Sequence, residues 1–141
     1  MVDLILFPSS YFNVSKVDED LQAEYDAVKA TGLFDVILFG YDKWFEEDQL
    51  VIKDITQVER TAVYRGYMMN PEKYERFYQH LLENNIRLIT TPKEYELMHI
   101  FPNVYELLKD DTAKMEIYPL HTQINVDGIK HTIGQFMVKD Y

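Results

Sequence analysis

An arginine between a tyrosine and a glycine is the residue with the clearest chemical potential in this sequence. Arg65 follows a short apolar run, Ala62 to Tyr64, which is typical of a buried strand. A guanidinium at the end of a strand can hold a carboxylate or a phosphate with two parallel hydrogen bonds. Open α/β sheets also bind their ligands at the carboxyl ends of strands. The pattern indicates an anion-binding residue, although an ion pair with one of the many acidic side chains explains Arg65 equally well.

The common catalytic and phosphate-binding motifs are absent from the sequence. It contains no cysteine, which excludes disulfides, thiolate chemistry and cysteine-based zinc sites. It also lacks the Gly-x-x-x-x-Gly-Lys-Ser/Thr loop, the Gly-x-Gly-x-x-Gly loop and the Gly-x-Ser-x-Gly nucleophile elbow. The four histidines show no metal-binding spacing. Elimination leaves Arg65, the loop after the first strand with Ser9 and Ser10, and Lys139 as the positions of interest. Together with Tyr64, which precedes Arg65, they are the candidate substrate- or nucleotide-binding residues.

Composition limits the classes of partner. The sequence has 24 acidic and 14 basic side chains among 141 residues, a formal charge of −10. This charge argues against nucleic acid and against anionic membrane surfaces, because both require a basic face. No apolar run approaches the roughly 20 residues that span a bilayer. The first residues carry an acid at Asp3 and no basic region, which favours a first strand over a signal peptide and predicts a cytoplasmic protein.

Alternating strand and helix patterns precede and follow Arg65. A buried strand at Leu4 to Phe7, a helix that ends at Gly32 and a strand at Phe34 to Phe39 form a βαβ pattern. After Arg65, Asn70 and Pro71 begin a helix as its cap and first residue. Further signals are the helix end at 84–85, the strand at 86–90, the helix cap at Thr91 and a last helix capped by Asn103. The pattern predicts an α/β fold, an open sheet that is mostly parallel with helices on both faces.

The pattern changes after two consecutive acids at 110–111. The segments Lys114 to Tyr118 and Phe136 to Lys139 have the composition of strands, and a polar stretch with two glycines separates them. The sequence therefore predicts one domain at 1–111 and a short β-rich C-terminal extension at 112–141.

Four motifs occur in an order that resembles a known family. They are Ile5-Leu-Phe-Pro-Ser9, Val63-Tyr-Arg-Gly-Tyr-Met68, Thr91-Pro-x-x-Tyr95 with His99 and Pro102, and Met137-Val-Lys-Asp-Tyr141. Together they resemble the amino-terminal half of ATP-grasp proteins of the clade named for an arginine and two lysines. The resemblance implies that 1–111 is a Rossmann-like pre-ATP-grasp domain and that 112–141 is the start of an incomplete ATP-grasp lobe, with ATP and Mg²⁺ as cofactors. Lys139 matches the family's first lysine, and Arg65 matches its arginine.

The resemblance leaves several functions open. The first is the substrate- and nucleotide-contacting region of an ATP-dependent carboxylate–amine ligase, which we expect to be inactive alone because the sequence ends before the family's second lysine and magnesium ligands. The alternative is a stand-alone Rossmann-like protein-interaction module derived from such a protein. A small nucleotide-binding regulator would need a pocket near Ser9, Ser10, Gly40 and Arg65. We expect a homodimer, or docking of a partner or the missing ATP-grasp lobe, through residues 114–141.

Overall fold

The computed structural model describes residues 2–53 and 57–139, which form five β-strands, six α-helices and one short 3₁₀ helix. The strands are β1 (Leu4–Ser10), β2 (Asn13–Val17), β3 (Asp35–Phe39), β4 (Arg60–Tyr64) and β5 (Ile86–Leu88). The 3₁₀ helix is Glu19–Leu21, and the α-helices are α1 (Gln22–Thr31), α2 (Tyr41–Glu47), α3 (Pro71–Glu83), α4 (Pro92–His99), α5 (Phe101–Leu108) and α6 (Val126–Ile133). The chain divides into two compact units, residues 1–95 (unit 1) and residues 96–141 (unit 2).

Unit 1 contains a mixed sheet with β1 at its centre. β1 pairs in parallel with β3 and with β4, and β4 pairs in parallel with β5. Because Leu4 to Leu6 are paired with both neighbours, β3 and β4 lie on opposite sides of β1. β2 pairs antiparallel with the last residues of β1. The α/β class is confirmed, and the parallel strands run in the order β3-β1-β4-β5.

Side chains alternate between the two faces of the sheet along each strand. Helices pack on both of these faces. On one face, Leu4 and Leu6 of β1 belong to the large core cluster, with Trp44 of α2 and Phe77 of α3. On the other face, Phe7 packs against residues that include Leu21 and, from α1, Tyr25 and Val28. Both faces of β1 are therefore covered, which accounts for its nearly continuous apolar sequence.

The predicted helix ends are largely confirmed. The Asn70 side chain accepts a hydrogen bond from the Lys73 amide at 2.8 Å, and Pro71 is the first residue of α3. Thr91 and Glu94 form a reciprocal capping box, in which Glu94 accepts from the Thr91 amide at 2.8 Å and Thr91 Oγ1 accepts from the Glu94 amide at 3.3 Å. Gly32 ends α1 with a φ of 63°, a left-handed conformation that glycine adopts without strain.

Trp44 and Lys73 fasten α2 to α3. Trp44 is fully buried against Phe77, and its indole N–H has no hydrogen-bond partner among the described residues. The Lys73 ammonium lies 5.4 Å from the Trp44 ring centre and donates to the Phe45 carbonyl and to the Asp48 carboxylate at 2.8 and 2.6 Å. A buried cation with two oxygen acceptors and an aromatic face keeps its charge compensated.

The structure corrects three predicted elements. The first strand, predicted at Leu4 to Phe7, extends to Ser10 and forms a hairpin with β2, so Ser9 and Ser10 are strand residues. The last helix of the predicted domain begins at Phe101 with Ile100 as its cap, and Asn103 lies inside it. The predicted β-rich extension is wrong, because neither 114–118 nor 136–139 forms a strand and α6 lies between them.

A local signal, the cap of α6, accounts for part of the wrong prediction for residues 112–141. Asn125 accepts a hydrogen bond from the Gly128 amide at 3.0 Å, which makes Asn125 a helix cap and places Gly128 inside the first turn of α6. Strand-like composition also does not produce a strand unless another strand pairs with it. Among the described residues of unit 2, Val104 of α5 and Ile129 of α6 are buried. The predicted domain boundary near residue 111 stays a prediction, whereas the two units divide between Tyr95 and Glu96.

Candidate functional site

The carboxyl end of β4 lies directly beside β1. Tyr64 is in register with Leu6, and the Arg65 amide donates to the Leu6 carbonyl at 2.9 Å. Ser9 and Ser10 lie further along β1, where Ser9 is buried and Ser10 is partly buried. Four of the five predicted site residues therefore lie toward the carboxyl ends of two neighbouring strands, β1 and β4.

Arg65 forms a two-bond ion pair with Glu24 in the first turn of α1. Its Nε and Nη2 atoms each donate to one Glu24 carboxylate oxygen, the second bond at 2.5 Å. The Arg65 and Glu24 side chains are 47% and 46% exposed. The hydrogen bond from Arg65 is the main cause that lowers the pKa of Glu24 below its ordinary value. The ion pair that the sequence left open as an explanation of Arg65 is thus present, and the guanidinium is accessible to solvent.

Tyr64 and Gly66 shape the loop around Arg65. The Tyr64 hydroxyl donates to the Tyr67 carbonyl at 2.6 Å. A Cβ atom on Gly66 would lie 2.6 Å from the Tyr64 hydroxyl and 2.8 Å from its ring, so only glycine fits at this position without a shift. Burial raises the pKa of Tyr64 well above its ordinary value, which keeps its hydroxyl a neutral donor. The Tyr-Arg-Gly sequence therefore has a structural basis.

Tyr67 makes a second contact to the segment that precedes α1. Its hydroxyl lies 2.8 Å from an Asp18 carboxylate oxygen and 3.2 Å from one of Asp20. Burial, and then the hydrogen bond to Asp18, raise the pKa of Tyr67. Together with the Arg65–Glu24 pair, this contact ties the start of α1 to the loop after β4. Tyr67 belongs to the same motif as Arg65, but its residue type and position in the sequence do not predict this contact.

Tyr95 holds the far end of the same loop. Its hydroxyl accepts from the Met69 amide at 2.8 Å and donates to the Met69 carbonyl at 3.0 Å, and both contacts are buried. The Tyr95 ring stacks on Tyr74, with ring centres 3.7 Å apart and planes only 4° from parallel. Tyr95, from the motif at 91–95, therefore bonds to Met69, the residue that follows the motif at 63–68.

Lys139, the fifth predicted residue, belongs to unit 2. It is exposed, and it lies in a segment after α6 that forms neither helix nor strand. Asp140 and Tyr141 of the same motif lie outside the described residues. The predicted binding role of Lys139 stays a prediction.

Three further observations concern metal ions, surface depressions and membrane-spanning helices. Among residues 2–53 and 57–139, no group of three or more histidine, cysteine, aspartate or glutamate side chains is placed to hold a metal ion. A depression on the surface of α3 is lined by Glu72, Glu75, Arg76, Gln79 and His80. Over the same described residues, no helix has both the length and the apolar character needed to cross a membrane.

Comparison of the chain with protein-family models, with curated proteins and with solved structures gives no match. The four sequence motifs and the geometry of unit 1 are therefore the basis for a functional proposal.

Proposed function

We propose that this chain is the substrate- and nucleotide-contacting amino-terminal region of an ATP-dependent carboxylate–amine ligase of the ATP-grasp type. The proposal rests on the four motifs and on one structural observation, the position of Arg65. In this reading unit 1 is a Rossmann-like domain that supplies binding groups, and the protein works in the cytoplasm. Catalysis would require the rest of an ATP-grasp lobe.

The position of Arg65 supports this function because of the strand order. From β1 the chain continues to β3 on one side and then to β4 on the other. In open α/β sheets such a reversal leaves a crevice at the carboxyl ends of the two strands that flank it, and ligands bind there. β1 and β4 flank it here, and Arg65 is the first residue after β4.

The chemistry at this edge suits an anion. Glu24 holds the Nε and Nη2 donors of Arg65 with two bonds, and both side chains are about half exposed, so a planar anion from solvent can reach the guanidinium by displacing Glu24 or by binding beside it. Bound ATP with magnesium would supply the energy that activates a carboxylate for attack by an amine. This chain's own contribution is to orient an anionic group through Arg65 while Tyr64 and Gly66 hold the loop in place.

Calorimetric titration with MgATP tests the proposal. We expect the Arg65→Ala variant to bind roughly tenfold or more weakly than the wild type, since a charged hydrogen-bonding partner is lost. Arg87→Ala is the matched control, because Arg87 of β5 also forms a two-bond pair with a glutamate, Glu59. Lys139→Ala tests whether Lys139, the other residue that the family resemblance marks, also contributes to MgATP binding. Binding that is equal in wild type and Arg65→Ala would contradict the role of Arg65.

A second candidate function, a Rossmann-like protein-interaction module, is favoured by the surface of unit 2. Large apolar side chains there are exposed, including Leu120 at 86%, Met137 at 78% and Val138 at 80%. Such side chains are typical of surfaces that bind another protein or a second copy. Sedimentation of the wild type and of a Leu120→Asp, Met137→Asp variant tests self-association. A concentration-dependent dimer that the substitutions abolish would favour this function, and two identical monomers would contradict the dimer.

A further inference from the structure

Glu24 occupies the atoms of Arg65 that a ligand would use. The Nε and Nη2 atoms form the side of the guanidinium that best matches a carboxylate or phosphate, and each already donates to one Glu24 oxygen. The pair joins residues 41 positions apart in the sequence, so it is formed by the fold and not by helix spacing. A ligand anion at Arg65 therefore has to displace Glu24 or bind beside it.

We propose that Glu24 is a specificity-determining residue, an intramolecular competitor that weakens the binding of small anions at Arg65. The inference rests on the proposed anion-binding role of Arg65. A carboxylate held by the fold next to its partner acts at an effective concentration on the order of millimolar or above. Free phosphate or a simple carboxylate offers Arg65 nothing that Glu24 does not already provide. A ligand with further contacts to the protein displaces Glu24 more readily than a small anion does.

Displacement is feasible because both partners are about half exposed. Glu24 lies in the first turn of α1, where the partial positive charge of the helix amino terminus favours a carboxylate. When Glu24 leaves Arg65, its charge returns to water and stays near that terminus, so no charge is buried without a partner. Exposed ion pairs of this kind are weak, which suits a contact that exchanges with a ligand.

Titration with inorganic phosphate at constant ionic strength tests the inference. The side-chain Nε–H signals of the arginines, followed by nuclear magnetic resonance, report on Arg65 directly. We expect Glu24→Gln to bind phosphate at Arg65 about two- to fivefold more tightly than the wild type, since the competing carboxylate is gone. Glu59→Gln is the matched control, which frees Arg87 instead and leaves the Arg65 signal at its wild-type response.

Two outcomes would overturn the inference. One is equal phosphate affinity of Arg65 in the wild type and in Glu24→Gln. The other is a gain of the same size in total phosphate affinity, measured by calorimetry, when Glu24→Gln is added to Arg65→Ala, which would place the bound phosphate elsewhere. Because the probe is phosphate, failure here is distinct from failure of the proposed ligase region, which is judged by MgATP binding.

Discussion

Three tyrosine hydroxyls hold the loop that carries Arg65, and they do so by different means. Tyr64 bonds within the loop, Tyr67 reaches the carboxylates of Asp18 and Asp20, and Tyr95 bonds both backbone groups of Met69. All three have pKa values raised by burial, so each hydroxyl keeps its proton at neutral pH. Neutral donors therefore fix the loop around the charged guanidinium.

Among these hydroxyls, that of Tyr95 should matter most for stability. Tyr95→Phe leaves the buried amide and carbonyl of Met69 without their partner, which should cost about 1–3 kcal/mol in the free energy of unfolding. Tyr64→Phe removes one bond to a carbonyl and should cost about 1 kcal/mol. Urea unfolding of both variants measures the difference. A smaller loss for Tyr95→Phe than for Tyr64→Phe would show that water replaces the Tyr95 hydroxyl.

At the level of helices and strands, local sequence signals predicted the helix ends of unit 1 well. Asn70, Gly32 and the Thr91–Glu94 box act within three residues of each helix end, so their effect is readable from neighbouring sequence. The Arg65–Glu24 pair could not be predicted, because it depends on where α1 lies against the end of β4. The same holds for the absent strands of unit 2, since pairing depends on distant partners.

The two predicted asparagine caps give a direct test of this reading. Asn70→Ala should lower stability by about 1 kcal/mol, because its side chain caps α3. Asn103→Ala should change stability by less than about 0.5 kcal/mol, because Asn103 is exposed within α5 and Ile100 is the cap. Urea unfolding of the two variants compares them under identical conditions. Equal losses would mean that Asn103 has a capping role after all.

For the whole molecule, the question is where the chain can be cut. Residues 112–125 contain no helix or strand and are mostly exposed, which makes them accessible to proteases. We expect limited digestion with a protease that cleaves after lysine to cut first at Lys114, and residues 1–114 to persist as a fragment. Mass spectrometry of the time course identifies the sites. Resistance throughout 110–135 would show that this segment is protected, and a first cut inside 1–95 would contradict a stable unit 1.

The fluorescence of Trp44 reports on the unfolding of unit 1 alone. It is the only tryptophan in the sequence, and it is fully buried in the core of unit 1. Its fluorescence emission should therefore be blue-shifted in the folded protein and should move to longer wavelengths only when unit 1 unfolds. The far-ultraviolet circular dichroism, in contrast, includes α5 and α6 of unit 2. Denaturation followed by both signals yields one shared midpoint if the units unfold together and two midpoints if each unit unfolds by itself.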